Sequence, residues 1–61
     1  MNGPPREEGF YLYKKCDGSC DKVEVYRFKD VLLADSDNWF TFLPVELVTK
    51  YICGRWNRRI E

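Results

Sequence analysis

Large apolar residues alternate with other residues along the first part of the chain. Between Phe10 and Lys15, odd and even positions would face opposite sides of an extended segment, and most of these residues favour strands. The cluster of turn formers at residues 16–21, which contains Asp17-Gly18, predicts that the chain reverses there. A second strand over residues 23–28 would complete a hairpin.

The predicted second strand carries apolar side chains on both faces. Val23 and Val25 face one way. Glu24, Tyr26 and Phe28 face the other way. This pattern favours a small, strongly curved barrel in which one face fills the interior and a loop or a partner partly covers the other.

Three more strands are predicted further along the chain. The third covers residues 31–34, and a dense turn signal at residues 35–38 separates it from a fourth over residues 39–43. The last, short strand covers residues 55–60. Strand starts spaced by about eight to twelve residues are typical of a compact all-β meander.

The segment at residues 44–53 has two interpretations. Pro44 suits the first position of a helix and Gly54 suits the position after its end. The inward side chains of that helix would be Leu47, Val48, Tyr51 and Ile52. The β formers at residues 48–53 equally favour a single helical turn over residues 44–47 followed by a strand.

Together these elements predict a mainly β fold, a five-stranded SH3-like barrel with a short helical turn or helix near residues 44–53. The chain has 61 residues, which suffice for one small domain, placed at residues 9–61. Residues 1–8 contain paired prolines and the charged run that begins at Arg6, so we expect them to form a flexible lead.

Cysteine content and hydropathy bear on the compartment. An odd number of cysteines, three, suggests reduced thiols and a cytoplasmic protein, and no apolar run is long enough to span a membrane. Two alternatives stay open. Cys16 and Cys20 could form a disulfide across the turn, or they could bind a metal with Cys53 and either Asp17 or Asp21. No cofactor is expected.

The residues that favour a binding function are aromatic and basic. The chain has no histidine, so general acid–base catalysis is not expected, and the net charge is zero. Residues 50–60 combine four basic residues with two aromatic residues and contain no acidic residue. The alternative interpretation is a solvated basic edge that blunts strand pairing. The predicted binding residues are Tyr26, Phe28, Trp39, Arg55, Trp56, Arg58 and Arg59.

Five short segments resemble the small SH3-like barrel proteins that tailed bacteriophages and prophages encode. They are residues 8–13, 23–26, 39–42, 43–47 and 58–61. The resemblance implies a five-stranded barrel and a phage-encoded accessory role, and it implies no active site.

These observations predict a non-enzymatic binding module that engages a host protein or a host defence component. One alternative is a binder or sponge for nucleotides or single-stranded nucleic acid, acting through Arg55, Trp56, Arg58 and Arg59. A virion or assembly subunit is a further alternative, and a homo-oligomer stays open. No membrane partner is expected.

Overall fold

The computed structural model describes residues 3–60. Strand formers at alternating positions build the long strands, and the turn-rich segments join them. The elements in chain order are β1 (Gly9–Lys15), β2 (Cys20–Phe28), β3 (Val31–Asp35), β4 (Leu43–Pro44), a 3₁₀ turn (Val45–Leu47), α1 (Val48–Tyr51) and β5 (Gly54–Ile60).

The five strands form one open antiparallel sheet in the order β4-β3-β2-β1-β5. This arrangement confirms the predicted mainly β class, the number of strands and the short helical segment after Pro44. The sheet is open, because its two edge strands do not pair with each other within the described residues, whereas a closed barrel was expected. β4 and β5 are the two edges of the sheet. β1 is paired on both sides, with β2 and β5, and therefore fixes the positions of both.

The predicted fourth strand is mostly a loop. Only Leu43 of the predicted residues belongs to β4, and the chain turns at Ser36, whose carbonyl accepts a hydrogen bond from the Trp39 N–H at 3.0 Å. The side chains of Asn38 and Trp39 donate to a carboxylate in β2 instead of lying in a sheet. The turn at Ser36 and the two hydrogen bonds to the β2 carboxylate outweigh the strand preference of the aromatic residues.

The helical segment differs from both interpretations of residues 44–53. A 3₁₀ turn precedes one turn of α-helix, and the change in residues per turn rotates the inward face. Val45 and Val48 are buried, as predicted for Val48, whereas Leu47 and Tyr51 are exposed and not inward-facing as predicted.

The core lies on one face of the sheet and is built around aromatic rings. Trp56 contacts Tyr13 and Tyr11 edge to face, with ring centroids 5.1 and 6.1 Å apart. The Trp56 indole N–H has no acceptor within residues 3–60, so burial and ring contacts hold this side chain. The buried apolar residues that pack together are Tyr11, Tyr13, Val23, Val25, Ala34, Val45, Val48 and Trp56.

The segment before β1 is attached to the sheet. Pro5 is buried, and the Tyr11 hydroxyl donates to the Glu7 carbonyl at 2.9 Å. The Glu8 carboxylate accepts a hydrogen bond from the Arg27 N–H at 2.8 Å. Glu7 and Glu8 thus have hydrogen-bond partners on β1, β2 and β5, and the flexibility of residues 1–8 stays a prediction. Met1 and Asn2 lie outside the described residues.

A disulfide joins Cys16 to Cys53, with Cα atoms 5.4 Å apart. The Cys16 N–H also donates to the Cys53 carbonyl at 2.9 Å. The expectation of reduced thiols is therefore wrong for these two residues, as are the Cys16–Cys20 bridge and the three-cysteine metal site. Sequence spacing could not reveal a pair that is 37 residues apart. Cys20 is free and exposed.

We predict that the disulfide supplies a large part of the stability. Replacing both Cys16 and Cys53 by Ser should lower the free energy of unfolding by about 3–4 kcal/mol, because the unfolded chain regains the freedom of a long loop. A chain of this size has roughly 3–9 kcal/mol in total. Urea unfolding measures the loss. Cys20→Ser is the matched control and should change the free energy of unfolding by less than about 0.5 kcal/mol. Equal stability of the double variant and the parent would contradict the account.

Asp21 is a buried carboxylate, 2% exposed, that anchors the loop before β4. It accepts hydrogen bonds at 2.9 Å from Asn38 Nδ2 and from Trp39 Nε1, and Lys15 Nζ lies 3.5 Å away. Burial acts to raise the pKa of Asp21, but the hydrogen bonds from Trp39 and Asn38 and the charge of Lys15 outweigh it and hold the pKa below its ordinary value. Asp21 is therefore ionised in the folded protein at neutral pH.

We predict that Asp21→Asn lowers the free energy of unfolding at pH 7 by about 1–3 kcal/mol, since the buried donors lose a charged acceptor. The pKa of Asp21 is lower in the folded than in the unfolded protein, whose value is about 3.9. The stabilisation from the charge of Asp21 is therefore complete above the pKa of the unfolded protein. It is lost as the pH falls through the lower pKa that Asp21 has in the folded protein. The difference between parent and variant should shrink below pH 4 in denaturant titrations, and a difference that grows there would contradict the account.

Candidate functional site

The strand register brings basic side chains together on the sheet face opposite the core. Tyr11 and Tyr13 of β1 face the core, so the alternate residues of β1 face outwards. Directly paired residues of antiparallel strands share a face. Leu12 is paired with Lys22 on one side and Arg58 on the other, and Lys14 is paired with Cys20 and Arg55. We call the group Lys14, Lys22, Arg55 and Arg58, arranged around Leu12, the cationic face.

A β-bulge in β5 creates this arrangement. Tyr13 is paired with Trp56 and Leu12 with Arg58, which leaves Asn57 as an extra residue on β5. In a regular strand, residues 55 and 58 would lie on opposite faces because they are an odd number of positions apart. The extra residue restores both arginines to the outer face while Trp56 stays in the core.

The four cations of the cationic face form no ion pair with a carboxylate in the described part of the chain. The ion pairs found there join Lys15 to Asp21 and Arg59 to Glu7, and none involves the four cations. Lys14 and Arg55 are directly opposed like charges, which is an unfavourable cross-strand pair.

One apolar ring borders the cationic face. Phe10 lies beside Leu12 on the outer face of β1 and is paired with Glu24 and Ile60. Its ring is 41% exposed, and Lys22 Nζ lies 5.0 Å from the ring centroid. The surface therefore combines positive charge around half-buried Leu12 with an exposed aromatic ring at its border.

The structure separates the predicted binding residues of β5. Arg55 and Arg58 are exposed on the cationic face. Arg59 lies on the other face, where its guanidinium donates to the Glu8 carbonyl at 3.1 Å and lies 5.9 Å from the Tyr11 ring. Trp56 is only 3% exposed, so the prediction that it stacks on a ligand is wrong.

The other predicted binding residues lie elsewhere. Tyr26 is half-buried on β2, beyond a pair of acidic residues, Glu24 and Asp35, that bounds the cationic face. Phe28 is 56% exposed next to the turn into β3. Trp39 is half-buried, and its indole N–H donates a hydrogen bond to Asp21. These aromatic residues do not form one surface with the arginines.

Sequence reasoning missed Lys14 and Lys22, which supply half of the cationic face. The register of the β1–β2 hairpin could have predicted both lysines. Counting outwards from the turn between Lys15 and Ser19, which their backbone hydrogen bond closes at 2.8 Å, places Lys14 opposite Cys20 and Leu12 opposite Lys22. The pairing with β5 then follows only from the structure.

A second exposed apolar region lies on the loop before β4. Phe40 is fully exposed, and a shallow groove of about 320 Å³ runs past Trp39, Leu43 and Ile52. Residues 3–60 contain no group of three or more cysteine, aspartate or glutamate side chains placed to hold a metal. In the same range, no helix is both long enough and apolar enough to cross a membrane.

Comparisons with protein-family models, with curated proteins and with solved structures gave no match. The resemblance to small phage-encoded barrels therefore stays a prediction. Because Cys16 and Cys53 form a disulfide, the argument from reduced cysteines no longer supports a cytoplasmic location. That location also stays a prediction.

We predict that the like-charge contact on the cationic face limits stability. Lys14→Glu places a carboxylate opposite Arg55 and should raise the free energy of unfolding by about 0.2–1 kcal/mol. The gain should shrink as salt screens the charges. Denaturant unfolding at low and high ionic strength measures both effects. Lys50→Glu, in α1 and away from this face, is the control with the same change in charge. An equal gain in the control would contradict the account.

Proposed function

We propose that this chain is a non-enzymatic binding module whose cationic face contacts an acidic surface of a protein partner. The observation that carries the proposal is the grouping of Lys14, Lys22, Arg55 and Arg58 around Leu12, none of which forms an ion pair with a carboxylate among residues 3–60. Opposed like charges lower stability. An acidic partner would relieve that repulsion when it binds.

The composition of the face favours a protein over nucleic acid. Binding of single strands relies on exposed aromatic rings on which bases stack. Trp56 is buried, and one face of the Phe10 ring is covered by Lys22. An apolar centre with arginines at its margin is instead typical of protein interfaces. The nucleotide and nucleic-acid alternative is therefore an outcome of the test below.

The identity of the partner rests on the resemblance stated at the start. In this proposal the chain is phage-encoded and the partner is a protein of the bacterial host, such as a component of host defence. Catalysis has no part in the proposal, because the chain contains no histidine to act as a general acid or base near neutral pH.

Capture on the immobilised protein tests the proposal. A bacterial lysate is passed over the parent protein and over Lys22→Glu/Arg58→Glu, and the retained material is eluted with salt. We expect an acidic protein on the parent and at least about tenfold less on the variant, because reversed charges repel the partner. The control variant Arg6→Glu/Lys50→Glu has the same change in net charge away from the cationic face. It should capture the acidic protein as the parent does.

The same experiment separates the alternatives. Nuclease treatment of the lysate should leave capture unchanged. If nuclease treatment removes all the material that the parent retains and the charge-reversed variant does not, the nucleic-acid alternative replaces the proposal. If the parent and the charge-reversed variant capture the same protein equally well, the cationic face does not bind the partner and the proposal is wrong.

A further inference from the structure

β5 is a long edge strand whose outer side has no strand partner within residues 3–60. It pairs with β1 alone, and no other described element packs extensively against it. Alternate residues of such an edge direct their N–H and C=O groups away from the sheet. The opposite edge, β4, has only two residues and contains Pro44, which has no N–H to donate. β5 is therefore the edge that could accept another strand.

The charges of β5 select the occupant of this edge. Arg55 and Arg58 are exposed on its outer face, and residues 50–60 contain no aspartate or glutamate. Opposite charges on neighbouring strands form favourable pairs. Two copies of β5 paired edge to edge would instead bring arginines against arginines. The edge thus disfavours a second copy of this chain and favours an acidic strand.

The bulge sets the spacing of the acidic residues. Because Asn57 is the extra residue, Arg55 and Arg58 are successive outward positions on β5. An added strand presents successive outward side chains at positions i and i+2. Two carboxylates with that spacing would therefore each face one arginine.

We propose that the β5 edge binds an extended acidic segment of the partner by β-strand addition, with carboxylates at positions i and i+2 beside Arg55 and Arg58. This inference rests on the proposed function and specifies how the partner binds. Main-chain hydrogen bonds would supply affinity, and the two arginines would supply selectivity. Arg59 takes no part, because it is already bonded to Glu7 and Glu8.

Binding of a synthetic peptide tests the proposal on the full-length protein. The probe is acetyl-Thr-Val-Glu-Val-Glu-Val-Thr-amide, and one control peptide carries N-methyl groups at alternate residues on the side that faces β5. We expect binding of the probe, loss of at least about tenfold in affinity for the methylated peptide, and slower amide exchange along β5. Arg55→Gln/Arg58→Gln should weaken binding by at least a similar factor, whereas Arg6→Gln/Lys50→Gln should not.

The outcomes distinguish a failure of this inference from a failure of the proposed function. If the methylated peptide binds as tightly as the probe, side chains alone hold the peptide, which overturns strand addition and leaves the cationic face as the binding surface. If the probe does not bind while the cationic face still captures its partner, strand addition is also overturned. Protection of β5 amides that rises with protein concentration in the absence of peptide would place a second copy on the edge and would contradict the proposal.

Discussion

The pairing of β5 with β1 is the constraint on which the core and the candidate binding surface both depend. The extra residue at Asn57 lets Trp56 lie opposite Tyr13 in the core while Arg58 lies opposite Leu12 on the outer face. In a regular strand, residues 56 and 58 would share a face, so either an indole would be exposed or a guanidinium would be buried. One local irregularity therefore satisfies the core and assembles four cations.

Several contacts fix where β5 begins. The disulfide and the backbone hydrogen bond between Cys16 and Cys53 tie its start to the end of β1. The Tyr13 hydroxyl donates to the Ile52 carbonyl at 2.6 Å. Gly54 lies so close to β1 that a Cβ atom there would collide with the Tyr13 ring and the adjacent backbone. The register of the bulged strand is thus set from its first residue, which suits a chain with a small core.

The sequence was sufficient for those features that depend on local pattern. Alternation and turn residues predicted the first hairpin and a shared face for Val23 and Val25, which the structure confirms and shows to be the core face. The bulge was not predictable, because period-two reasoning assumes a regular strand, in which Trp56 and Arg58 would share a face. The disulfide and the hydrogen bonds of Asp21 join residues that are distant in sequence, so no local pattern announces them.

The register of β5 against β1 is the central claim, and backbone nuclear Overhauser contacts measure it most directly. The account predicts cross-strand contacts between Tyr13 and Trp56 and between Leu12 and Arg58, with Asn57 left without a partner on β1. Contacts between Leu12 and Asn57 in an unbroken register would place Arg55 and Arg58 on opposite faces. That result would contradict the account of the cationic face.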